Sequence, residues 1–323
     1  MCGIAGIVRC DGKPINAAVL DRMTDRLAHR GPDDRGTLIV NPGPDGFAAG
    51  LGHRRLSVID LSPLGRQPMG NETGDVQVVF NGEIYNFQHL RAELEHEGHF
   101  FRSRCDTEVL VHGWEQWEEG LFSRIQGMCA CAVLDMRSRR LILARDRYGK
   151  KPLYYWSFPG GVAFASELKA LCELPEFPRT LSIRNLARYL AFEYVPAGHA
   201  IYKDVYKLLP SHYAVWENGR MATERYWRLR FDRGARIAED DAAAEILRLL
   251  RQAVQRRLIS DVPLGVFLSG GIDSSAVTAL MAEIVDAKNI QTFSIGFSEA
   301  TFDESAWARA MAQHIGANHH EDM

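Results

Sequence analysis

Apolar positions are spaced one way in the first two-thirds of this chain and another way in the rest. Residues 3–8 are small and apolar and read as a strand. Asn16 reads as a helix cap, with Val19, Leu20, Met23 and Leu27 recurring at helical spacing before Gly31-Pro32 ends the pattern. Residues 47–59 are strand-like. Residues 76–80, then Asn81-Gly82, then Glu83-Ile84-Tyr85 read as a hairpin closed by a two-residue turn. Helices are expected over about 86–97, from Asp106-Thr107 onward, and over 181–192. Strands are expected over 128–135, 140–145, 153–156, 162–165 and 213–216.

Beyond the Arg-rich, aromatic stretch 225–236 the style changes. A helix (239–258), a strand (264–268), a glycine turn, a helix (274–285), a strand (292–297), a helix (303–315) and a short terminal strand come next. Such alternation predicts a parallel sheet covered by helices. The expected domains are 2–215 and 236–323, with 216–235 as linker.

Composition narrows the function classes. The chain has 323 residues, 46% hydrophobic and 24% charged, which suits a soluble globular protein with a sizeable core. Lys and Arg number 38 against 41 Asp and Glu, a net −3. No single-sign field points to nucleic acid or a membrane surface. The run at 4–8 is too short for a signal peptide and has no basic region before it, so a cytoplasmic protein is expected. Six cysteines include no Cys-x-x-Cys pair. Cys129 and Cys131 are spaced to share one face of an apolar strand and read as core.

The most specific local signal is Ser269-Gly270-Gly271-Ile272-Asp273-Ser274-Ser275. An apolar strand feeds a glycine turn that opens into a helix, so successive N–H groups face outward as an anion site. Ser269, Ser274 and Ser275 add hydroxyls. Asp273 would repel a bare phosphate and makes sense as an N-cap or as a ligand to a nucleotide-bound Mg²⁺. No Gly-Lys-Ser/Thr comes after the glycines, so this is not a Walker A loop. The segment resembles the PP-loop of ATP pyrophosphatases, which cleave ATP between the α- and β-phosphates. That resemblance places Leu268 against adenine through its backbone and Ile295 beside the nucleotide.

At the other end stands Cys2. Its small side chain permits removal of Met1, which would put a thiol and an α-amine titrating near pH ~8 on one residue. Thiol and built-in base on one residue is the arrangement of N-terminal nucleophile enzymes. A cysteine near a chain start is otherwise an ordinary small apolar residue.

Met1-Cys2-Gly3-Ile4, Arg30-Gly31-Pro32-Asp33, 53–57, 80–86 and Asp106-Thr107-Glu108 together resemble class II glutamine amidotransferases. With the PP-loop they resemble the glutamine-hydrolysing asparagine synthetase family over nearly the whole chain. The resemblance implies an α+β N-terminal nucleophile hydrolase sandwich (αββα), followed by the start of an α/β PP-loop domain. It implies that Cys2 attacks glutamine and that Asn81 and Gly82 form an oxyanion hole, although Asn81-Gly82 alone reads as a type I′ turn. Arg55 would grip the α-carboxylate, with Arg54 on the opposite face. Asp106 would bind the α-amine, or serve as a helix N-cap, or both. Leu56, Val58, Ile59 and Glu83 would line the pocket, and 145–155 would be scaffold. ATP would be held by Leu268, Ser269, Gly270, Gly271, Asp273, Ser274, Ser275 and Ile295, with Mg²⁺ at Asp273. His319-His320 reads as a helix end or a strand start in preference to a metal site.

Glutamine, aspartate and ATP are the implied partners, and a homodimer the assembly. Ammonia would pass inside the protein to an acyl-adenylate of aspartate, giving asparagine, AMP and pyrophosphate. The family's synthetase domain is longer than the segment after Ala235, so either the chain is a fragment of a longer product or it does not make asparagine unaided; the expectation for residues 1–323 is glutaminase competence, with synthetase competence in doubt. The alternatives are a ligase of the same family with another carboxylate acceptor, a glutaminase-only hydrolase, and a non-catalytic nucleotide-binding module.

Overall fold

The computed structural model describes residues 1–231, 237–299 and 301–322. The chain divides into Met1–Arg230 and Phe231–Met323. The first unit holds twelve strands: β1 (Gly3–Arg9), β2 (Asp34–Val40), β3 (Ala48–Arg55), β4 (Met69–Gly70), β5 (Val76–Ile84), β6 (Gly127–Asp135), β7 (Arg140–Arg145), β8 (Tyr154–Phe158), β9 (Gly161–Ala165), β10 (Val205–Lys207), β11 (His212–Glu217) and β12 (Arg220–Arg225). Its helices are α1 (Ala17–Asp25), α2 (Phe87–His96), α3 (Glu108–Trp117), α4 (Leu121–Arg124), α5 (Leu168–Leu171) and α6 (Ile183–Phe192).

Two antiparallel six-stranded sheets result, ordered β10-β8-β9-β1-β3-β2 and β12-β11-β7-β6-β5-β4. One core joins them: Ile4, Val8 and Leu51 from the first sheet meet Val79, Ala132, Leu143 and Trp216 from the second. A further core lies on the outer face of the first sheet, where Val19, Leu20 and Met23 of α1 cover Ala5, Ile7 and Ala163. Strand β1 is buried along its whole length, which is why residues 3–8 are an unbroken small, apolar run; Arg9, its last residue, is paired with Asp11 at 2.8 Å. α3 packs on the second sheet through β5, and Trp114 of α3 donates its indole N–H to Asp135 of β6 at 3.2 Å. The helix–sheet–sheet–helix layering expected from the sequence is present.

Four local expectations are corrected or confirmed by the strand ladders and caps. Residues 76–84 are one continuous strand, not a hairpin. Asn81 pairs with Ala130 and Gly82 with Cys129 in the β5–β6 ladder, and neither residue takes the positive φ that a type I′ turn requires. The strand expected over 47–59 stops at Arg55. The expected linker 216–235 begins with strand: β12 pairs with β11 from Arg220 to Arg225 across the turn at Asn218 and Gly219, both at positive φ. Residues 232–236 of that stretch lie outside the described residues. Asn16 caps α1 as expected, accepting from the N–H groups of Ala18 and Val19.

The second unit holds α7 (Glu239–Arg257), β13 (Gly265–Phe267), α8 (Ile272–Ala282), β14 (Gln291–Ile295), α9 (Ser305–Ile315) and β15 (Asn318–Asp322). Its sheet is parallel, ordered β13-β14-β15. α8 starts at Ile272, ahead of the expected Ser274. Val254, Leu280, Met281 and Ile290 form its small core. His319 lies within β15, where its ring contacts the hydroxyls of Thr292 (2.9 Å) and Ser294 (3.1 Å). No helix among the described residues is long and apolar enough to cross a membrane.

Candidate active site

Cys2 stands at the end of β1. Gly3 pairs with Arg54 of β3, so Cys2 and Arg55 leave the same end of adjacent strands. The Leu56 N–H donates to Cys2 Sγ at 3.4 Å. Arg30 donates through Nε to the Cys2 carbonyl at 2.9 Å and through Nη1 to Glu167 at 2.8 Å. Asp33 accepts from the Ser57 N–H at 2.8 Å, holding the segment after β3. The motif Arg30–Asp33 thus positions Cys2 and the wall beside it.

Cys2 opens on a cavity of about 100 Å³ lined by Arg55, Leu56, Val58, Ile59, Asn81, Gly82, Glu83 and Asp106. Every glutamine-pocket residue expected from the sequence is therefore on one surface. Arg54 points elsewhere and pairs with Asp25, as the strand alternation required. Arg55 is buried, and its guanidinium donates to the carbonyls of Ile59 (3.1 Å) and Ser62 (3.2 Å) and to that of Asp60. The same fork that could bind a carboxylate also ties down the pocket loop.

The edge of β5 supplies donors. The N–H groups of Phe80, Gly82 and Ile84 project to the same side, because a strand alternates every second residue. Phe80 donates to Gln67 Oε1 at 2.6 Å, and Ile84 donates to Asp106 Oδ2 at 2.9 Å. Gly82 N–H points into the cavity between those two acceptors. A Cβ on Gly82 would lie 2.0 Å from the Met128 carbonyl oxygen, so only glycine fits there. Asn81 is fully buried, and neither its amide nitrogen nor its oxygen has a hydrogen-bond partner among the described residues. An orphaned buried amide costs about 1–3 kcal/mol. Its place beside Cys2 suits a donor waiting for an oxyanion.

Asp106 does not cap α3; the N-cap position is Thr107, which makes no side-chain cap bond. The Asp106 carboxylate is instead tied to β5, and burial raises its pKa to about 6 against the opposing Ile84 N–H bond. Burial likewise pushes the Cys2 thiol above its ordinary value, opposed by the Leu56 N–H.

Lys151 is a site residue that the sequence did not reveal. The turn 146–151 was expected as scaffold, and largely it is: Asp146 accepts from the N–H groups of Tyr148, Lys150 and Lys151, and Arg145 donates to the carbonyls of Gly149 and Lys151. That clamp buries Lys151 in the cavity wall, where desolvation lowers its pKa. In sequence it is one of two adjacent lysines, and nothing local distinguishes it from Lys150.

In the second unit the loop after β13 forms as expected. Gly270 has φ +78, and a Cβ there would lie 2.4 Å from Trp307 Cβ. Ser269 and Ser274 hydroxyls are 3.0 Å apart, and Ser274 Oγ also reaches the Gly271 carbonyl at 3.2 Å. Gly271 occupies the N-cap of α8 without a side-chain cap, which leaves the helix N-terminus open to an anion. Asp273 is therefore not the N-cap; it lies exposed in the first turn, where its carboxylate suits a Mg²⁺ carried by a nucleotide. Buried Leu268 comes directly after β13, and exposed Ile295 ends β14. Both sit at the C-terminal edge of the parallel sheet, the usual ligand edge.

The glutamine amidotransferase domain family matches residues 1–227, and the asparagine synthase family matches 245–322. Asparagine synthetase [glutamine-hydrolyzing] 3 of Bacillus subtilis is 34% identical, covering 99% of this chain and 54% of the relative. Asparagine synthetase [glutamine-hydrolyzing] 1 of the same organism is 33% identical, covering 98% and 49%. Amidase chry2 of Gibberella zeae is 32% identical, covering 99% and 50%. The chain thus spans about half the length of these relatives. Among solved structures, glutamine phosphoribosylpyrophosphate amidotransferase of B. subtilis matches with TM-score 0.50 at 15% identity, covering 99% of this chain and 81% of that one. That likeness concerns the fold alone. Sequence match, sandwich and pocket agree: the chain belongs to the glutamine amidotransferase domain family through residues 1–227, and residues 245–322 that follow match the asparagine synthase family.

Proposed function

We propose that residues 1–230 hydrolyse glutamine and that the ammonia released serves an ATP-dependent amidation. The observation that carries this reading is the Asn81 amide, without a hydrogen-bond partner among the described residues, in the same cavity as Cys2, a guanidinium and a buried carboxylate. Arg55 would take the α-carboxylate of glutamine and Asp106 its α-ammonium. Cys2 Sγ then attacks the side-chain amide carbon, and the C–S bond forms as the C=O π pair moves to oxygen. Asn81 Nδ2 and Gly82 N–H hold that oxyanion. With Met1 removed, the Cys2 α-amine would accept the thiol proton and return it to the leaving nitrogen. The C–N bond breaks and ammonia departs. Water then attacks the thioester, releasing glutamate and restoring the thiol.

For the second unit we propose that the loop 269–275 holds the phosphates of ATP, with Asp273 at its Mg²⁺. Aspartate is the proposed acceptor, since two of the relatives named above are asparagine synthetases. Amidation of another carboxylate is the second reading, favoured by the similarity to a relative named as an amidase.

The test is ammonia release from glutamine by purified 1–323. Cys2→Ala should lower it by ~10⁴-fold or more, and residues retained ahead of Cys2 should suppress it as well. Equal release by wild type and Cys2→Ala overturns the proposal.

A further inference from the structure

Beyond the pocket, on the far side of α3 from its N-terminus, two imidazoles and a carboxylate converge. His99, His112 and Glu115 each bring one donor atom within 4.8 Å of the others. Glu115 Oε2 lies 3.1 Å from His112 Nδ1 and 3.9 Å from His99 Nδ1. A tetrahedral ion with bonds of ~2.0–2.2 Å has ligand atoms about 3.3 Å apart. The first distance already fits, and a small rotation of the His99 ring closes the second.

What separates this cluster from an ordinary ion pair is the set of partners behind it. Metal-binding imidazoles and carboxylates have their non-ligating atoms held by other groups. Here His99 Nε2 faces Gln116 Oε1 at 3.2 Å, and His112 Nε2 faces Glu108 Oε1 at 3.8 Å. Glu115 Oε1 accepts from Asn71 Nδ2 at 2.8 Å. Each candidate ligand is thus oriented from behind and presents its remaining donor atom to the same point. The His112 ring is further fixed edge-on by Phe101, with centroids 4.8 Å apart. His112 is buried, while the side chains of His99 and Glu115 each keep 18% of their surface in solvent, leaving an access path and room for a water ligand.

We propose that His99, His112 and Glu115 form a transition-metal site of the zinc type. Two imidazoles with one carboxylate suit Zn²⁺, Co²⁺ or Ni²⁺, not the oxygen-loving Ca²⁺ or Mg²⁺. Binding replaces the His112–Glu115 hydrogen bond, and the proton on His112 Nδ1 moves to Nε2, which faces Glu108, or to solvent. The role is structural: the ion would join the segment after α2 to α3, the helix just beyond the pocket residues Asp106 and Thr107.

The probe is Co²⁺ added to the full chain, followed by visible absorption, with Zn²⁺ as competitor. One Co²⁺ per chain with d–d bands free of thiolate charge transfer, displaced by Zn²⁺, is the expected result. Glu115→Gln and His99→Gln should each remove the bands, and thermal unfolding without metal checks that both variants fold. Gln116→Ala should weaken binding by about tenfold. Absence of bands in the wild type, bands with thiolate charge transfer, or bands that survive in both folded ligand variants would overturn the site.

Discussion

In the first unit two sheets close on each other, and strands such as β1 and β7 are buried almost throughout. In the second, Phe267 is 83% exposed, Ile272 88% and Trp307 71%, although parallel sheets ordinarily have both faces covered. The candidate sites differ in the same way. The first unit holds polar groups against their own preference: Asn81 lacks partners among the described residues, and Asp106 is buried with its pKa raised to about 6. The second satisfies its loop internally through Ser269 and Ser274 and presents backbone at a helix N-terminus. Preorganised but unsatisfied groups persist only where surrounding packing overdetermines them. A self-bonded glycine loop needs no such enclosure.

Mutations can break that contrast. The largest effect is expected at Asn81. Asn81→Ala should lower kcat for glutamine hydrolysis by ~10²–10³, while the unfolding midpoint holds or rises, because an orphaned buried amide is removed. A fall in stability equal to that of an ordinary core truncation would mean Asn81 is a packing residue.

Asp106→Asn comes next. The folded pKa lies above the ordinary 3.8, so the unfolded chain loses this proton first. The ionised carboxylate therefore opposes folding, fully above about 6 and not at all below the unfolded value. The shift corresponds to about 3 kcal/mol. Asn keeps an acceptor for the Ile84 N–H, so the variant should be more stable at neutral pH while its KM for glutamine rises about tenfold, the worth of ~1.4 kcal/mol. Wild-type affinity for glutamine should weaken as pH falls through about 6, and the variant should lose that dependence. Steady-state kinetics against pH, with a denaturation curve at each pH, checks both halves.

The smallest effect is expected in the second unit. Gly270→Ala forces a side chain into positive φ and against Trp307, at a cost of about 1–3 kcal/mol. Limited proteolysis should show residues 237–322 opening more readily, and ATP should protect less. An equal loss of glutamine hydrolysis would show that the two units do not fold as separately as their cores suggest.

Much of this was legible from residue order. The β1 run, the α1 cap at Asn16, the β/α alternation after 237 and the loop at 269–275 are local patterns, and local patterns survive into the fold. The Asn81-Gly82 pair reads as a hairpin turn in sequence, but Gly82 serves close approach to the Met128 carbonyl, a contact 46 residues away along the chain. Asp106 resembled a helix cap because it stands just ahead of α3, yet its carboxylate is claimed by β5. Lys151 enters the pocket only because Arg145 and Asp146 fold its turn inward.

The sequence by itself determined the periodicities and which residue types were available for chemistry, because those depend on neighbours along the chain. Which groups would meet was decided only by the tertiary structure. Strand register set Cys2 beside Arg55 and left the Gly82 N–H at the sheet edge, and burial alone left Asn81 without a partner among the described residues. Register and burial are long-range properties, and no local window contains them.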